Sequence, residues 1–119
     1  MRFEDLPLPL YGGGRYRRDW QSVYDHCAAI EHVLMHGEPG SIYNVGGGNE
    51  RENIEVAEKI LAVLGKPKSL LRFIQDRPGH NRRYAVDCSR LRQLGWAPKV
   101  AFEEGLQATV EWYQKHDQW

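Results

Sequence analysis

Apolar side chains recur every three or four positions in two stretches of the chain, from Val23 to His36 and from Ile54 to Leu64. This spacing is typical of amphipathic helices. Ser22 precedes the first stretch and Gly37 follows it, while Gly65 follows the second. Because serine favours helix starts and glycine favours helix ends, these residues support both helices.

The two helices differ in where their apolar stripes lie. The first helix has one stripe made of Cys27, Ile30, Val33 and Leu34. The second helix is expected to start from an N-cap at Asn53. Its stripe consists of Ile54, Ala57, Ile60, Leu61 and Leu64.

A third helix is predicted from Phe102, where Leu106, Val110 and Tyr113 repeat the helical spacing. A shorter helix begins near Asp87 and ends at Gly95. After an extended, proline-containing entry over 6–11, short strands are expected over 15–20, 41–45, 70–74 and 84–86. The sequence therefore predicts a small mixed α/β domain of about four helices and several short strands.

The composition restricts the class of protein. A chain of 119 residues fits a single domain, 1–119, and its sixteen basic residues balance its sixteen acidic residues. Nucleic-acid binders usually carry a basic excess on one face, so the zero net charge argues against them. The cluster Arg15, Arg17 and Arg18, with Tyr16 and Trp20 interleaved, leaves nucleic-acid binding open as a weaker alternative.

Cellular location can also be inferred from the sequence. The two cysteines, Cys27 and Cys88, are predicted to be reduced core residues rather than a disulfide. No apolar run reaches the roughly 20 residues of a membrane span. We therefore expect a cytoplasmic protein without membrane contact.

The segment 76–87, with the sequence DRPGHNRRYAVD, has the most distinctive chemistry. Pro78 and Gly79 predict a tight corner from which Arg77, His80 and the pair at 82–83 project. Guanidinium groups match phosphate oxygens in pairs, so the segment favours a diphosphate site. The alternative is a solvated turn whose arginines pair with acids such as Asp76 and Asp87.

Other candidate motifs lack essential residues. The glycines at 46–48 precede a helix, but Arg51 stands where a dinucleotide loop needs a third glycine. This loop is therefore interpreted as an ordinary turn into the helix. None of the six tyrosines is followed four residues later by lysine. His32 and His36 could chelate a metal, but no third ligand is evident.

Several motifs together resemble those of dTDP-glucose 4,6-dehydratases, which are extended short-chain dehydrogenases/reductases. Besides segment 76–87, they are PLPLYG at 7–12, RDW at 18–20, YNVGG at 43–47, LGW at 94–96 and TV-x-WY at 109–113. Their joint occurrence in this order covers the chain from Pro7 onward. The chain is similar to the C-terminal substrate-binding portion of that family.

The resemblance implies which residues bind ligand. Pro9, Leu10 and Tyr11 would line a thymidine pocket, and Arg18 and Asn53 would contact the diphosphate. The remaining implied site residues, which would close over the nucleotide, are Asp76, Arg77, Pro78, Gly79 and His80.

The resemblance also implies what the chain lacks. In that family a Rossmann domain holds NAD and supplies the catalytic Tyr and Lys and an acid/base pair. We therefore expect a truncated dTDP-sugar-binding domain that is not catalytic alone and holds no cofactor. The alternatives are a self-associating fragment without ligand, and a subunit completed by a separate Rossmann partner.

Overall fold

Two small sheets and four helices make up the fold in a computed structural model that describes residues 6–118. Strand β1 (Leu8–Tyr11) pairs in parallel with β4 (Leu71–Ile74). The second sheet has the order β3-β2-β5. In it, β2 (Arg17–Asp19) is antiparallel to β3 (Glu50–Glu52) and parallel to β5 (Arg83–Tyr84).

The helices are α1 (Val23–His36), α2 (Asn53–Leu64), α3 (Ser89–Gln93) and α4 (Phe102–Lys115). A short 3-10 turn at Lys68–Leu70 precedes β4. The predicted fold class is therefore confirmed. None of the helices within residues 6–118 is long and apolar enough to cross a membrane.

Helix boundaries follow the predictions closely. Helix α1 has the predicted bounds, and the Ser22 hydroxyl accepts the N–H of Tyr24 at 3.2 Å. The predicted N-cap of α2 is wrong by one residue, because β3 runs to Glu52 and Asn53 is already helical. The N–H of Asn53 donates to the carbonyl of Tyr16 at 2.9 Å, which ties the start of α2 to the segment before β2.

The strand predicted at 41–45 is absent. No described strand lies beside this segment to accept its backbone hydrogen bonds, and Ile42 is 79% exposed. An apolar pattern alone does not make a strand, because a strand also requires a partner strand for its backbone hydrogen bonds. The strand predicted at 84–86 is also shorter than expected, since β5 ends at Tyr84.

Three of the four residues predicted for the apolar stripe of α1 face solvent, namely Cys27, Ile30 and Leu34. The buried positions of the helix are Asp25 and Ala29, whereas Leu34 is 81% exposed. The core beneath α1 is built from Ala29, Leu91 and Trp96, with Val33 packed partly against them. Helices α2 and α4 pack together through a second group of buried residues. This group consists of Val56, Ala57, Leu61 and Val110.

The two cysteines have different environments. Both are free thiols, as predicted. Cys88 is buried, and this burial is the main factor that raises the pKa of its thiol. The prediction that Cys27 lies in the core is wrong, because Cys27 sits on the solvent-facing stripe of α1.

A buried carboxylate joins α1 to the segment before α4. Asp25 is 4% exposed, and its two oxygens accept the N–H groups of Lys99 at 3.0 Å and Val100 at 3.1 Å. These are charge-assisted bonds, each stronger than a neutral one. Asp25 therefore fixes the approach to α4.

Asp25→Ala should lower the free energy of unfolding by about 2–4 kcal/mol, because two backbone N–H groups lose their acceptors. Chemical denaturation followed by circular dichroism measures the change. Glu31→Gln, an exposed change on the same helix, is the control and should cost less than about 0.5 kcal/mol. Equal stability of Asp25→Ala and wild type would contradict the structural role.

Candidate functional site

Asp19 fixes the position of the strand that carries Arg18. The carboxylate of Asp19 accepts three backbone N–H groups from the glycine loop, those of Gly47 at 3.0 Å, Gly48 at 3.3 Å and Asn49 at 2.9 Å. The N–H of Trp20 also donates to the carbonyl of Asn49 at 3.2 Å. β2 and the glycine loop are therefore locked together at the site.

Glycine is required at positions 46 and 47 of this loop because atoms of residues 19–21 come so close. A Cβ atom at position 46 would lie 2.5 Å from Oδ2 of Asp19. A Cβ at position 47 would lie 2.8 Å from Cβ of Gln21 and 2.9 Å from the carbonyl oxygen of Trp20. The glycine run 46–48 thus leaves room for the carboxylate of Asp19.

This arrangement bears on cofactor binding. The N–H groups that a dinucleotide pyrophosphate would need at this loop already donate to Asp19. The described residues therefore do not fit NAD at this loop. Within 6–118 there is also no group of three or more potential ligands placed to hold a metal ion, and Nε2 of His32 bonds the carbonyl of Leu94 at 2.8 Å.

A cleft of about 470 Å³ opens between β1, β2 and α2. Pro9, Leu10 and Tyr11 of β1 form one wall, and Arg18 and Asn53 also border it. The rest of the lining consists of Leu8, Asp19, Trp20, Val56, Ala57 and Ile60. The cleft is mostly apolar, and its border carries the guanidinium of Arg18, the carboxylate of Asp19 and the amide of Asn53.

Arg18 is held between backbone carbonyls and aromatic rings. Its guanidinium donates to the carbonyls of Arg17 at 2.8 Å and Asn81 at 2.9 Å. Its central carbon lies 5.3 Å from the ring centre of Tyr84 and 5.9 Å from that of Tyr16, within the range of cation–π attraction. Arg18 is therefore preorganised rather than free to swing.

A second cleft of about 300 Å³ adjoins the first through Arg18. The predicted corner forms most of it, with Arg77, Pro78, Gly79 and His80 along its edge. The guanidinium of Arg77 lies over the ring of Tyr11, 5.5 Å from the ring centre. Since Tyr11 borders the first cleft and Arg77 the second, this contact also joins the two clefts.

His80 and Asp76 stabilise the shape of this corner. Nδ1 of His80 and Oδ1 of Asp76 are 2.9 Å apart, and the same oxygen accepts the N–H of Arg77 at 2.9 Å. The His80 ring is tilted against Tyr16, with 4.2 Å between ring centres. Its side chain is only 7% exposed, so His80 supports the corner more than it faces solvent.

The structure brings together all ten residues predicted for the site. Five border the first cleft, and Arg18 is shared with the second. Asp76 connects to the second cleft through its bonds to His80 and Arg77. The ten are Pro9, Leu10, Tyr11, Arg18, Asn53, Asp76, Arg77, Pro78, Gly79 and His80.

Arg83 pairs with a carboxylate of the chain, whereas the sequence suggested that it projects towards an anion. It forms a two-pronged ion pair with Glu50, with bonds of 2.5 and 2.9 Å across the β3-β2-β5 sheet. The hydrogen bond from Arg83 lowers the pKa of the Glu50 carboxyl and raises that of Arg83. The sequence offered Asp76 and Asp87 as alternative partners for the arginines. For Arg83 both are wrong, because its partner is Glu50, 33 residues away in sequence.

Sequence reasoning missed several lining residues. Val56 of α2 lay outside the predicted stripe, and Tyr84 was assigned only to a strand. Trp20 was interpreted only as part of a strand and of the possible nucleic-acid-binding cluster, although it borders the first cleft. The signal available for Trp20 was its position two residues after Arg18.

Comparison with known proteins decides the family. The GDP-mannose 4,6 dehydratase family profile matches residues 3–109. The chain belongs to this family. Among individual proteins, it is 50% identical to the dTDP-glucose 4,6-dehydratase of Xanthomonas campestris over 123 residues, which cover 95% of this chain. The resemblance inferred from the motifs is thereby confirmed.

Solved structures show the same fold. A dTDP-glucose 4,6-dehydratase from Bacillus anthracis, in complex with NAD, is 48% identical with a TM-score of 0.88. One from Streptomyces venezuelae, with NAD and TYD bound, is 43% identical with a TM-score of 0.90. Each match covers 96% of this chain and 36% of the other. The chain also spans only 35% of the length of the Xanthomonas relative.

The Glu50–Arg83 pair can be tested by titration. The carboxyl of Glu50 should titrate below its ordinary pKa of 4.5, and Arg83→Gln should move it upward towards that value. The stabilisation from this pair is therefore present above the ordinary pKa and is lost as pH falls through the lowered one. Carboxyl ¹³C NMR against pH measures both values.

Arg82→Gln is the matched control, because it removes the neighbouring cation and leaves the Glu50 pair intact. The Glu50 titration should be nearly unchanged in this variant. A larger upward shift with Arg82→Gln than with Arg83→Gln would contradict the assigned pairing.

Proposed function

We propose that this chain binds a dTDP-sugar nucleotide across the two clefts. The observation that carries the proposal is Arg18, which borders both clefts and is held there by two carbonyls. One cleft is largely apolar and suits a base, and the other is lined by Arg18 and Arg77 and suits a diphosphate. The family membership supports the same class of ligand.

The roles follow from position. Pro9, Leu10 and Tyr11 would contact the thymidine, since they form an apolar and aromatic wall. Arg18 and Asn53 would contact the diphosphate from the side of β2 and α2. The corner, from Asp76 to His80, would close over the nucleotide, with Arg77 as its second cation.

The proposal extends to the domain and its chemistry. Residues 1–119 would form one nucleotide-sugar-binding domain in the cytoplasm. Dehydration would require NAD and acid–base groups, which the family resemblance assigns to a Rossmann domain. The chain by itself would therefore recognise the nucleotide without converting the sugar.

Arg77→Ala and Arg18→Ala should each weaken dTDP binding by about 1.5–3 kcal/mol, or roughly 10- to 150-fold, the scale of a charged hydrogen bond. Isothermal titration calorimetry with dTDP measures the loss. Because Arg77 is exposed, its variant should keep the wild-type stability.

The matched control for this experiment is Arg90→Ala. Arg90 is an exposed arginine of α3 that borders neither cleft. Its removal changes the net charge equally and should leave affinity within about twofold. Unchanged affinity in both site variants, or an equal loss in all three, would refute the proposed site.

A specific observation favours self-association as a second property. The outer face of α1 exposes five large apolar residues, namely Val23 (66%), Tyr24 (78%), Ile30 (55%), Leu34 (81%) and Met35 (69%). A contiguous apolar surface of this kind tends to mark an interface. A solution of the purified chain contains no other protein, so a second copy of the chain would cover this face of α1. We therefore propose a homo-oligomer formed through α1.

Leu34→Glu should shift the purified chain from oligomer to monomer, because it places a charge in the centre of the apolar face. Light scattering across a range of protein concentrations measures the mass. Gln93→Glu, a change at an exposed residue of α3, should leave the oligomer intact. A monomeric wild-type chain at high concentration would exclude self-association and leave a Rossmann partner as the molecule to seek.

A further inference from the structure

A separate cleft borders the segment before β2 and shares no lining residue with the two clefts of the nucleotide site. Its volume is about 290 Å³, and it is lined by Gly13, Arg15, Tyr16 and Arg82. Two cations therefore border one small cleft, and the proposed nucleotide site uses neither of them.

The backbone around this cleft is fixed by hydrogen bonds. The N–H of Arg17 donates to the carbonyl of Arg82 at 2.7 Å, which joins β2 to the residue before β5. The carbonyl of Tyr16 accepts the N–H of Asn53 at 2.9 Å, which ties the residue before β2 to the start of α2. The fold therefore sets the separation between the backbone segments that carry Arg15 and Arg82.

The cations near the cleft outnumber the acids paired with them. Nη1 of Arg15 donates to Glu52 at 2.9 Å, but 73% of the Arg15 side chain is exposed, so this ion pair is weak. Arg83, which follows Arg82, is paired with Glu50. No acid within residues 6–118 forms an ion pair with Arg82, and no atom of that range accepts a hydrogen bond from its guanidinium. Arg82 therefore carries a charge that the described chain does not neutralise.

The cleft also offers a backbone donor. Gly13 is exposed at its border, and the N–H of Gly13 bonds no acceptor among the residues that the structure describes. Glycine has no side chain that could cover this group. A phosphate group accepts several charge-assisted N–H bonds at once, and its oxygens match the fork of a guanidinium. The donors and the charge of the cleft therefore suit a phosphate group.

We propose that this cleft binds a phosphate group, held by the guanidinium groups of Arg15 and Arg82 and by the N–H of Gly13. A bound anion relieves the repulsion between the two cations and supplies the counter-charge that Arg82 lacks within the described chain. The site is separate from the nucleotide clefts, so the inference goes beyond the proposed function and does not depend on it.

Titration of the full chain with inorganic phosphate tests the site. The ionic strength is held constant with sodium chloride, because phosphate also screens charges. The probes are the ¹⁵Nε–Hε signals of Arg15 and Arg82, recorded at slightly acidic pH and assigned by their disappearance in Arg15→Gln and Arg82→Gln. Both signals should move along one saturable curve. The signal of Arg90, an exposed arginine of α3 outside the cleft, is the internal control and should stay in place.

The two variants measure what each cation contributes. Arg15→Gln and Arg82→Gln should each weaken phosphate binding about tenfold, because each removes a charge-assisted contact. Arg90→Gln removes the same charge elsewhere and should change the affinity less than about twofold. Because Arg15 and Arg82 are both exposed, their variants should keep the wild-type stability. Shifts that do not saturate, or an affinity that is unchanged in Arg82→Gln, would overturn the inference.

A further pair of titrations separates this site from the nucleotide site. Arg77→Ala should leave phosphate affinity within about twofold, and Arg82→Gln should leave dTDP affinity within about twofold. A loss of phosphate binding in Arg77→Ala as large as in Arg82→Gln would place the anion in the nucleotide site and overturn this inference. Saturable phosphate binding by a chain that binds no dTDP would refute the proposed function and support this site.

Discussion

The site depends on one interaction, the capture of the Asp19 carboxylate by three consecutive backbone N–H groups of the glycine loop. This contact holds β2 against the loop that leads into β3 and α2, so it fixes β2 relative to α2, and both elements border the first cleft. It also fixes Arg18 and Trp20, the residues on either side of Asp19. Because a Cβ at position 46 would collide with the carboxylate, the glycines and the acid depend on each other.

The cations of the chain divide into structural and available groups. Arg83 is bound to Glu50, and Arg51 bonds Glu55 at 2.9 Å while lying 4.0 Å from the ring centre of Phe102. Arg18 and Arg77 instead lie over tyrosine rings at the border of the clefts. Aromatic support positions a guanidinium without neutralising it, which leaves its charge for an anionic ligand.

Sequence reasoning succeeded where the determining contacts are local. Ser22 and Gly37 predicted both ends of α1, and the Pro78–Gly79 corner was recognised from its residues alone. It failed where the partner is distant, as for Arg83 and Glu50, and where burial depends on what surrounds an element. Ile42 and Leu34 follow strand and helix patterns, yet both face solvent within the described chain. The site residues themselves came from the family resemblance rather than from pattern.

The central claim is that the two clefts together hold one nucleotide. A crystal structure of this chain grown with saturating dTDP-glucose tests it most directly. We expect the base against the β1 wall and the diphosphate between the guanidinium groups of Arg18 and Arg77. A nucleotide bound at another surface, or two clefts that remain empty at saturation, would contradict the account.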